Sequence, residues 1–457
     1  MIAAIPLLLL QAVASCASYV APTSLDNAPR AAGPKCVVYP GGYGIDDSDR
    51  VLDAFEKCGN GGTIVFPAHH VYNIGKRLET RAQNAFVQLH GVFRFTPDIS
   101  YWANNSFPVV LQNQLTAWHF IANDTVMEGG AYGQGGIDGN GQTWYSWSKG
   151  GSNTPGRPMS IDVYQSRNVV IKDFTIRQPQ FWAVIVESSN NITLQGFLVN
   201  ATNTDPAANG TNWVQNTDGC DTYRSDDIKI LDWVYDGGDD CIAFKGNSTN
   251  IVVNNVTCTG GTGIAFGSVG QYPGAPDNIM NVSISSIVTL PPTYTGVGLG
   301  QSVSSGVYFK SWIGEAVGTP PNGGGGGTGI TKNVTVKDVS LTGADAPVYI
   351  TSCLSYELAI DPTANPFQYC NTSTYLFEDL SFKNITGQTT GRLGATTLTL
   401  NCSSAAPCKN IKFEDYAVTA PLNYKGTSVP TNSTIAIACM NEQNVTGVNC
   451  TQIHNPS

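Results

Sequence analysis

From about residue 160 onward the chain repeats one short phrase: an Asn or Asp, then a run in which apolar and polar residues alternate. It reads NVVIKDFTI from Asn168, NITLQGFLV from Asn191, DIKILDWVY from Asp227 and NIVVNNVTC from Asn250. It returns as NIMNVSISSI from Asn278, NVTVKDVSL from Asn333, YLFEDLSF from Tyr375 and NIKFEDYAV from Asn410. The copies at 168 and 191 start 23 residues apart, as do those at 227 and 250. A period in this range, built from β-branched runs and Gly/Asn turns, is the pattern of a β-solenoid. An ordinary sandwich would give short strands at tighter spacing with no preferred Asn at their openings.

The expected fold is therefore all-β: a right-handed parallel β-helix in a single domain, each coil giving one strand to each of several parallel sheets. A chain of 457 residues exceeds the usual single-domain size, but an elongated solenoid can run this long. Its open ends need covering. Residues 18–60, rich in Pro and Gly, and the disulfide-bearing C-terminus are the expected caps. The stretch PPNGGGGGTG at Pro320–Gly329 lacks the GKS/T ending of a phosphate cradle and reads as a flexible surface loop.

Charged residues make up only 13% of the chain, yet NTDGCDTYRSDDIKILDWVYDGGDDCIAFKG, from Asn216 to Gly246, holds eight aspartates. Arg224, Lys229 and Lys245 are the cations set among them. In a solenoid, residues one period apart stack about 4.8 Å from each other. Asp218, Asp240 and Thr262 follow one another at intervals of 22, so one column is expected to present all three, with Asp239 beside the middle one. Carboxylates this close raise one another's pKa, and at least one should hold a proton at mildly acidic pH. A protonated acid beside ionised ones is the equipment for general acid–base hydrolysis of a glycosidic bond. Acids in repeat proteins also cap turns or bind calcium, and Asp226, Asp227 and Asp232 read as that ordinary kind. The histidines are His69, His70, His90, His119 and His454, none of them expected in the repeat core. That disfavours Ser-His-Asp chemistry and a His-ligated metal, and no metal or cofactor is expected.

The opening MIAAIPLLLLQAVASCAS has the length and composition of a signal peptide, with residues 1–17 removed and 18–457 left as the β-helix domain. A membrane anchor is the alternative, and the apolar run is too short for one. Fifteen Asn-x-Ser/Thr sequons fit a glycosylated extracellular surface: Asn104, Asn123, Asn191, Asn200, Asn209, Asn247, Asn255, Asn281, Asn333, Asn371, Asn384, Asn401, Asn432, Asn444 and Asn449. Twelve cysteines point to an oxidising compartment. With Cys16 lost in the leader, short separations suggest the pairs Cys36–Cys58, Cys241–Cys258, Cys353–Cys370, Cys402–Cys408 and Cys439–Cys450. Cys220 is left over, and with no histidine near it in sequence it reads as an apolar filler, not a nucleophile. A net charge of −10 argues against nucleic acid as partner. It also means that a polyanionic substrate needs local cations at its site. The chain reads as a secreted, soluble monomer.

Several motifs resemble glycoside hydrolase family 28, the polygalacturonases and their relatives. They are NTDG at Asn216–Gly219, GDDC at Gly238–Cys241, the G-x-G at Gly261–Gly263 running into IAFGSVGQY, and VYFKSW at Val307–Trp312. GGIDGNGQTWYSW at Gly135–Trp147, RPMSI from Arg157 and QPQFW at Gln178–Trp182 support it, so the resemblance covers roughly residues 40 to 450. The resemblance implies a right-handed parallel β-helix and an enzyme that inverts at the anomeric carbon. It implies that Asp239 protonates the leaving oxygen while Asp218 and Asp240 activate water, with Asn216, Thr262, Tyr308 and Lys310 in the substrate site. Inversion would call for a wider gap between acid and base than in a retaining enzyme.

Two departures bear on the substrate. Where polygalacturonases carry Gly-His-Gly this chain has Thr262, and where they carry Arg-Ile-Lys it has Tyr308-Phe309-Lys310. Strand alternation keeps Tyr308 and Lys310 on one face. Exchanging a bidentate Arg for an aromatic face suits a less acidic sugar, such as rhamnose, at that position. The sequence thus resembles the exo-acting branch, exo-polygalacturonases or exo-rhamnogalacturonases. Drift in an inactive paralogue is the bland reading of both departures. The expected activity is release of terminal non-reducing α-1,4-linked galacturonate from pectic chains, with an exo-acting rhamnogalacturonan hydrolase as the alternative. The insertion Thr202–Gln215 could close one end of the cleft. A calcium-dependent lyase would need a basic proton abstractor, and none is evident in the acid column. A non-catalytic pectin-binding solenoid is the reading from another class.

Overall fold

Alternate residues of each run point into a shared interior, and that alternation makes the runs strands. In Asp226–Gly237, Ile228, Ile230, Trp233 and Tyr235 are fully buried while Asp232 faces solvent. The computed structural model describes residues 33–131, 133–292, 303–356, 360–365, 367–424, 427–428 and 436–453. Twenty-nine strands join one continuous parallel sheet system that winds as a β-helix. The register stacks like on like: Val169, Ile192, Ile228, Ile251, Val282, Val334, Leu380 and Ile411 form one inward ladder. Each of these side chains, fully buried, is worth about 1.5–3 kcal/mol.

Corners fall at left-handed residues, and they come in pairs five positions apart. Asp227 (φ 54°) is followed by Asp232 (53°), Asn250 (54°) by Asn255 (59°), Asn333 (58°) by Asp338 (60°), and Asn410 by Asp415 (both 55°). Asn and Asp tolerate this region better than other residues with a Cβ, which is why they open the runs. Their side chains then stack from coil to coil. Asn281 Nδ2 donates to Asn250 Oδ1 and Asn333 Nδ2 to Asn281 Oδ1, both at 2.9 Å. Asp226 and Asp232 accept bonds in the same way, from Asn250 and Asn255, which is the structural role read for them.

Coils begin well before residue 160, with Lys35–Val37 paired to Thr63–Val65. They escape notice in the sequence because one is split by an insertion: Leu78 pairs with Trp118, forty positions on. The inserted residues carry the helix Ile99–Asn105 and two strands, Phe107–Val109 and Gln114–Thr116, of a small separate sheet. The helix Ser48–Cys58 buries Val51, Ala54 and Phe55, the last against Phe66 and Phe120, and Cys58 bonds to Cys36. All five expected disulfides form, and Cys220 is buried and unpaired. The leader 1–17 with Cys16, Asn432 and His454 lie outside the described residues.

The glycine run does not behave as a flexible surface loop. Gly323, Gly324 and Gly325 are buried. Gln271 Nε2 donates to the Gly323 carbonyl (2.8 Å), and the Gly325, Gly326 and Gly327 amides donate to Gln271, Ile313 and Gly270. Glycine is required where the chain passes this close: a Cβ on Gly325 would stand 2.1 Å from the Glu315 carbonyl.

Candidate active site

Strands Cys220–Tyr223 and Asp240–Phe244 are neighbours, with Asp221 opposite Ala243. Asp218 and Asp239 stand just ahead of them. One carboxylate oxygen from each of Asp218, Asp239 and Asp240 lies within 4.8 Å of the others. The period argument therefore brings the right acids together, with one correction. Asp240 pairs with Gly263, not Thr262, and the register slips before Ile242 pairs with Ile264, leaving Cys241 as an extra residue. Thr262 still reaches the acids: its hydroxyl donates to Asp240 Oδ1 and its amide to the Asp239 carbonyl.

Two lysines stand among these acids, Lys310 as the resemblance implied and Lys245 from the acid-rich stretch itself. Lys310 Nζ lies 2.7 and 3.0 Å from the two Asp240 oxygens and 5.1 Å from the Tyr308 ring. Lys245 Nζ, buried behind them, lies 3.1 Å from Asp221, 3.9 Å from Asp218 and 4.0 Å from Asp240. Its ammonium also donates to the Gly267 carbonyl at 3.0 Å and sits 5.0 Å from the Trp182 ring. Arg157 is buried, donating to the carbonyls of Gln180 and Gln215, and the fields of Asp239 and Asp218 reach it. Asp221, Lys245 and Arg157 were not among the residues the sequence singled out for the site. Alternation could have found Lys245, which shares a strand face with Ala243, the partner of Asp221.

Asn216 serves the site chiefly through its backbone. Its amide donates to Asp239 Oδ2 at 2.8 Å, while its side-chain oxygen accepts from the Asn153 amide at 2.6 Å. The Asp240 amide donates to Asp239 Oδ1 at 3.0 Å. Burial still wins at Asp239 and raises its pKa, with Asp240 adding and Lys310 opposing. Asp218 is pushed well above the usual carboxylate range by burial and by Asp221, Asp239 and Asp240. Burial lifts Asp221 to about 7 against the pull of Lys245. Burial would lower both lysines, but their acid neighbours outweigh it and raise both. A lyase needs a neutral amine as base, and these two are held as ammonium ions.

On the N-terminal side the same sheet face is filled. Phe181, Trp182, Ile185 and Tyr223 pack with Val109, Leu111 and Met159 of the small sheet and its surroundings. One coil further, His119 lies on the outer face of a main-sheet strand whose Trp118 and Phe120 point into the core, stacked between Phe107 and Tyr164 at 4.5 and 4.7 Å.

Loops then meet beside the acids, where the Asn153 amide donates to Asn216, the residue whose own amide holds Asp239. Residues 110–114 and 152–154 lead into Gln114–Thr116 and Pro158–Met159 of the small sheet, while 271–272 and 320–325 follow Gly263–Val269 and Ser305–Trp312 of the main one. Gln112 Nε2 donates to Gln271 Oε1 (2.9 Å), and the Gln112 amide donates to the Tyr272 hydroxyl (2.8 Å). Asn153 Nδ2 reaches Asn322 Oδ1 at 3.3 Å. The insertion Thr202–Gln215, which could close one end of the cleft, packs on the helix Gly141–Ser148 through Gln142 and Ser146 and reaches the acids where Asn212 donates to the Gly238 carbonyl beside Asp239.

An acid set poised for proton transfer in a β-helix cleft that closes on one side is the equipment of a carbohydrate-cleaving enzyme. The chain belongs to the glycosyl hydrolases family 28, whose model matches residues 78–299 and 319–447. It is 48% identical over 407 residues to the "Putative galacturan 1,4-alpha-galacturonidase A" of Aspergillus flavus, covering 87% of this chain and 91% of that one. It is 34% identical over 419 residues to the "Alpha-L-rhamnosidase rgxB" of Aspergillus niger, covering 91% and 89%. Among solved structures, the endo-xylogalacturonan hydrolase of Aspergillus tubingensis superposes with a TM-score of 0.70 at 22% identity, over 92% of this chain and 99% of that one, a likeness of fold.

Proposed function

We propose that the enzyme hydrolyses the terminal α-1,4-linked galacturonate from the non-reducing end of pectic chains. The observation that carries this is the acid set standing where the cleft is filled on one side and roofed by loops, so that a chain end fits and a chain middle does not. The 48% identity to a protein named as a galacturonidase supports it. Asp239 is the acid that protonates the leaving oxygen; its raised pKa suits the role. Asp218 and Asp240 hold the attacking water, and Asn216, Thr262, Tyr308 and Lys310 shape the sugar site. Inversion at the anomeric carbon is the reading for this acid set, in which one oxygen from each acid lies within 4.8 Å of the others. It rests on a water held between Asp218 and Asp240. Residues 1–17 are read as a leader lost on secretion, and 18–457 as one monomeric catalytic unit working outside the cell.

A second reading is favoured by one observation. Lys310 gives both its short contacts to Asp240, leaving one N–H for a sugar carboxylate beside an aromatic Tyr308. That suits rhamnose in the site, and release from rhamnogalacturonan ends. Incubation with homogalacturonan and with rhamnogalacturonan oligomers, chelator present, separates the two. Free galacturonate from homogalacturonan, with no intermediate oligomers, is the expected product. Release from rhamnogalacturonan alone selects the second reading, and mixed oligomers overturn the exo assignment. Asp239→Asn is expected to lose roughly 10²–10⁴-fold in turnover while still binding oligogalacturonate; a variant that kept most of its rate would remove Asp239 as the acid.

A further inference from the structure

Lys245 is a fully formed ammonium site with no direct part in the roles assigned above. Its side chain is 5% exposed, and it contacts acids on two strands from beneath: Asp221 and Asp218 on one side, Asp240 on the other. Lys310 meets the same set from Ser305–Trp312, two strands beyond Asp240–Phe244, and spends itself on Asp240. Asp240 thus has a dedicated cation, whereas Asp218 has none closer than Lys245, and its Oδ1 finds no hydrogen-bond partner among the described residues.

We propose that Lys245 is a positioning residue that, paired with Asp221, favours the ionised form of Asp218 against burial and its acid neighbours, so that Asp218 can accept the proton of the attacking water. This rests on the reading of Asp218 as a base. The balance is simple: water gives its proton to Asp218 as its oxygen bonds to the anomeric carbon, and the glycosidic oxygen leaves with the proton of Asp239. Asp221, lifted by burial to about 7, carries no charge over the acidic range, so the Lys245 ammonium beside it at 3.1 Å still acts on Asp218 at 3.9 Å. The other charged or titratable groups facing the set are Asp239 and Asp240, Lys310 and Tyr308, Arg157 and Tyr356. Arg157, lowered by burial to about 10, stays charged throughout the acidic range, so Lys245 is not the sole cation but the one in contact.

The test is the acidic limb of kcat/KM, which reports the free-enzyme base. Removing a cation raises the pKa of Asp218, so in Lys245→Met the limb moves to higher pH. A shift of about one unit lowers kcat/KM on the limb roughly tenfold and leaves the plateau less affected. Since Lys245→Met strands a buried Asp221, the deciding comparison is Asp221→Asn against Asp221→Asn/Lys245→Met, in which neither variant carries that unpaired acid. The double variant is expected to titrate at higher pH than the single. Coincident limbs, with a lower melting temperature alone, would reduce Lys245 to a structural ion and overturn the proposal. Asp218→Asn separates the two readings: if it keeps both its turnover and its acidic limb, the base assignment fails, whatever Lys245 does.

Discussion

Asp162 and His119 lie 3.4 Å apart, yet each is driven to its neutral form. Burial pushes Asp162 well above the usual carboxylate range, with Glu187 adding, and burial brings His119 down to about 4. A carboxylic acid facing an imidazole nitrogen fits both, and an ion pair fits neither. Asp162→Asn keeps the shape and a donor, so it should move the melting temperature by only a few degrees. A buried ion pair broken on one side would instead cost about 3–5 kcal/mol. The sign with pH is fixed as well. Wild type holds Asp162 protonated while the unfolded chain ionises above about 3.9, so it loses stability as pH rises from there, and the Asn variant gains relative to it. A large loss measured by calorimetry would restore the ion pair. Residues of this kind were not legible in the sequence. Asp218, Asp239 and Asp240 were, because the coil period acts on them directly. Thr262 was nearly so, displaced by one extra residue at Cys241. Lys245 and Asp221 needed knowledge of which strand face meets the cleft.

At the scale of the element, paired left-handed corners explain more than the fold. Asn at a corner, followed two positions later by a Thr or Ser in the strand, spells a glycosylation sequon. Asn191, Asn255, Asn281, Asn333, Asn384 and Asn444 all give their side-chain N–H to a neighbouring coil. Much of the sequon density is thus written by solenoid geometry, which weakens it as a sign of a glycan coat. Asn281 and Asn333 occupy the same place on adjacent coils, flanked by the pairs Met280–Lys332 and Val282–Val334. Two glycans about 4.8 Å apart would collide. Glycopeptide mapping of protein made in a glycosylating host should find no molecule carrying both, and one doubly occupied species would refute this. Regular elements from residue 160 onward were readable because each run keeps its Asn or Asp opening and its alternation, even where the step between coils stretches, as from Val282 to Val334. The earlier coils were not, since the forty-residue step from Leu78 to Trp118 hides the repeat behind a helix and a small sheet.

Over the whole molecule, the consequential event is that loops distant in sequence meet and bond. Gln112 and Gln271 are 159 positions apart and bonded side chain to side chain at 2.9 Å. No local pattern announces such a contact, and the sequence pointed instead to Thr202–Gln215. Gln112→Ala combined with Gln271→Ala should loosen the roof. The expected result is a faster fall in the viscosity of homogalacturonan per bond cleaved, with oligomers appearing among the products. An unchanged ratio would show that the roof does not set the attack mode. A groove with two mouths can hold its polymer and slide along it. A pocket with a single mouth cannot, because the severed sugar lies behind the chain that delivered it. The chain must back out before the monosaccharide can follow, so each cut ends in complete separation. Such a catalyst shortens a whole population of polymers evenly, one unit per encounter, and its pace is tied to how many ends the wall material offers.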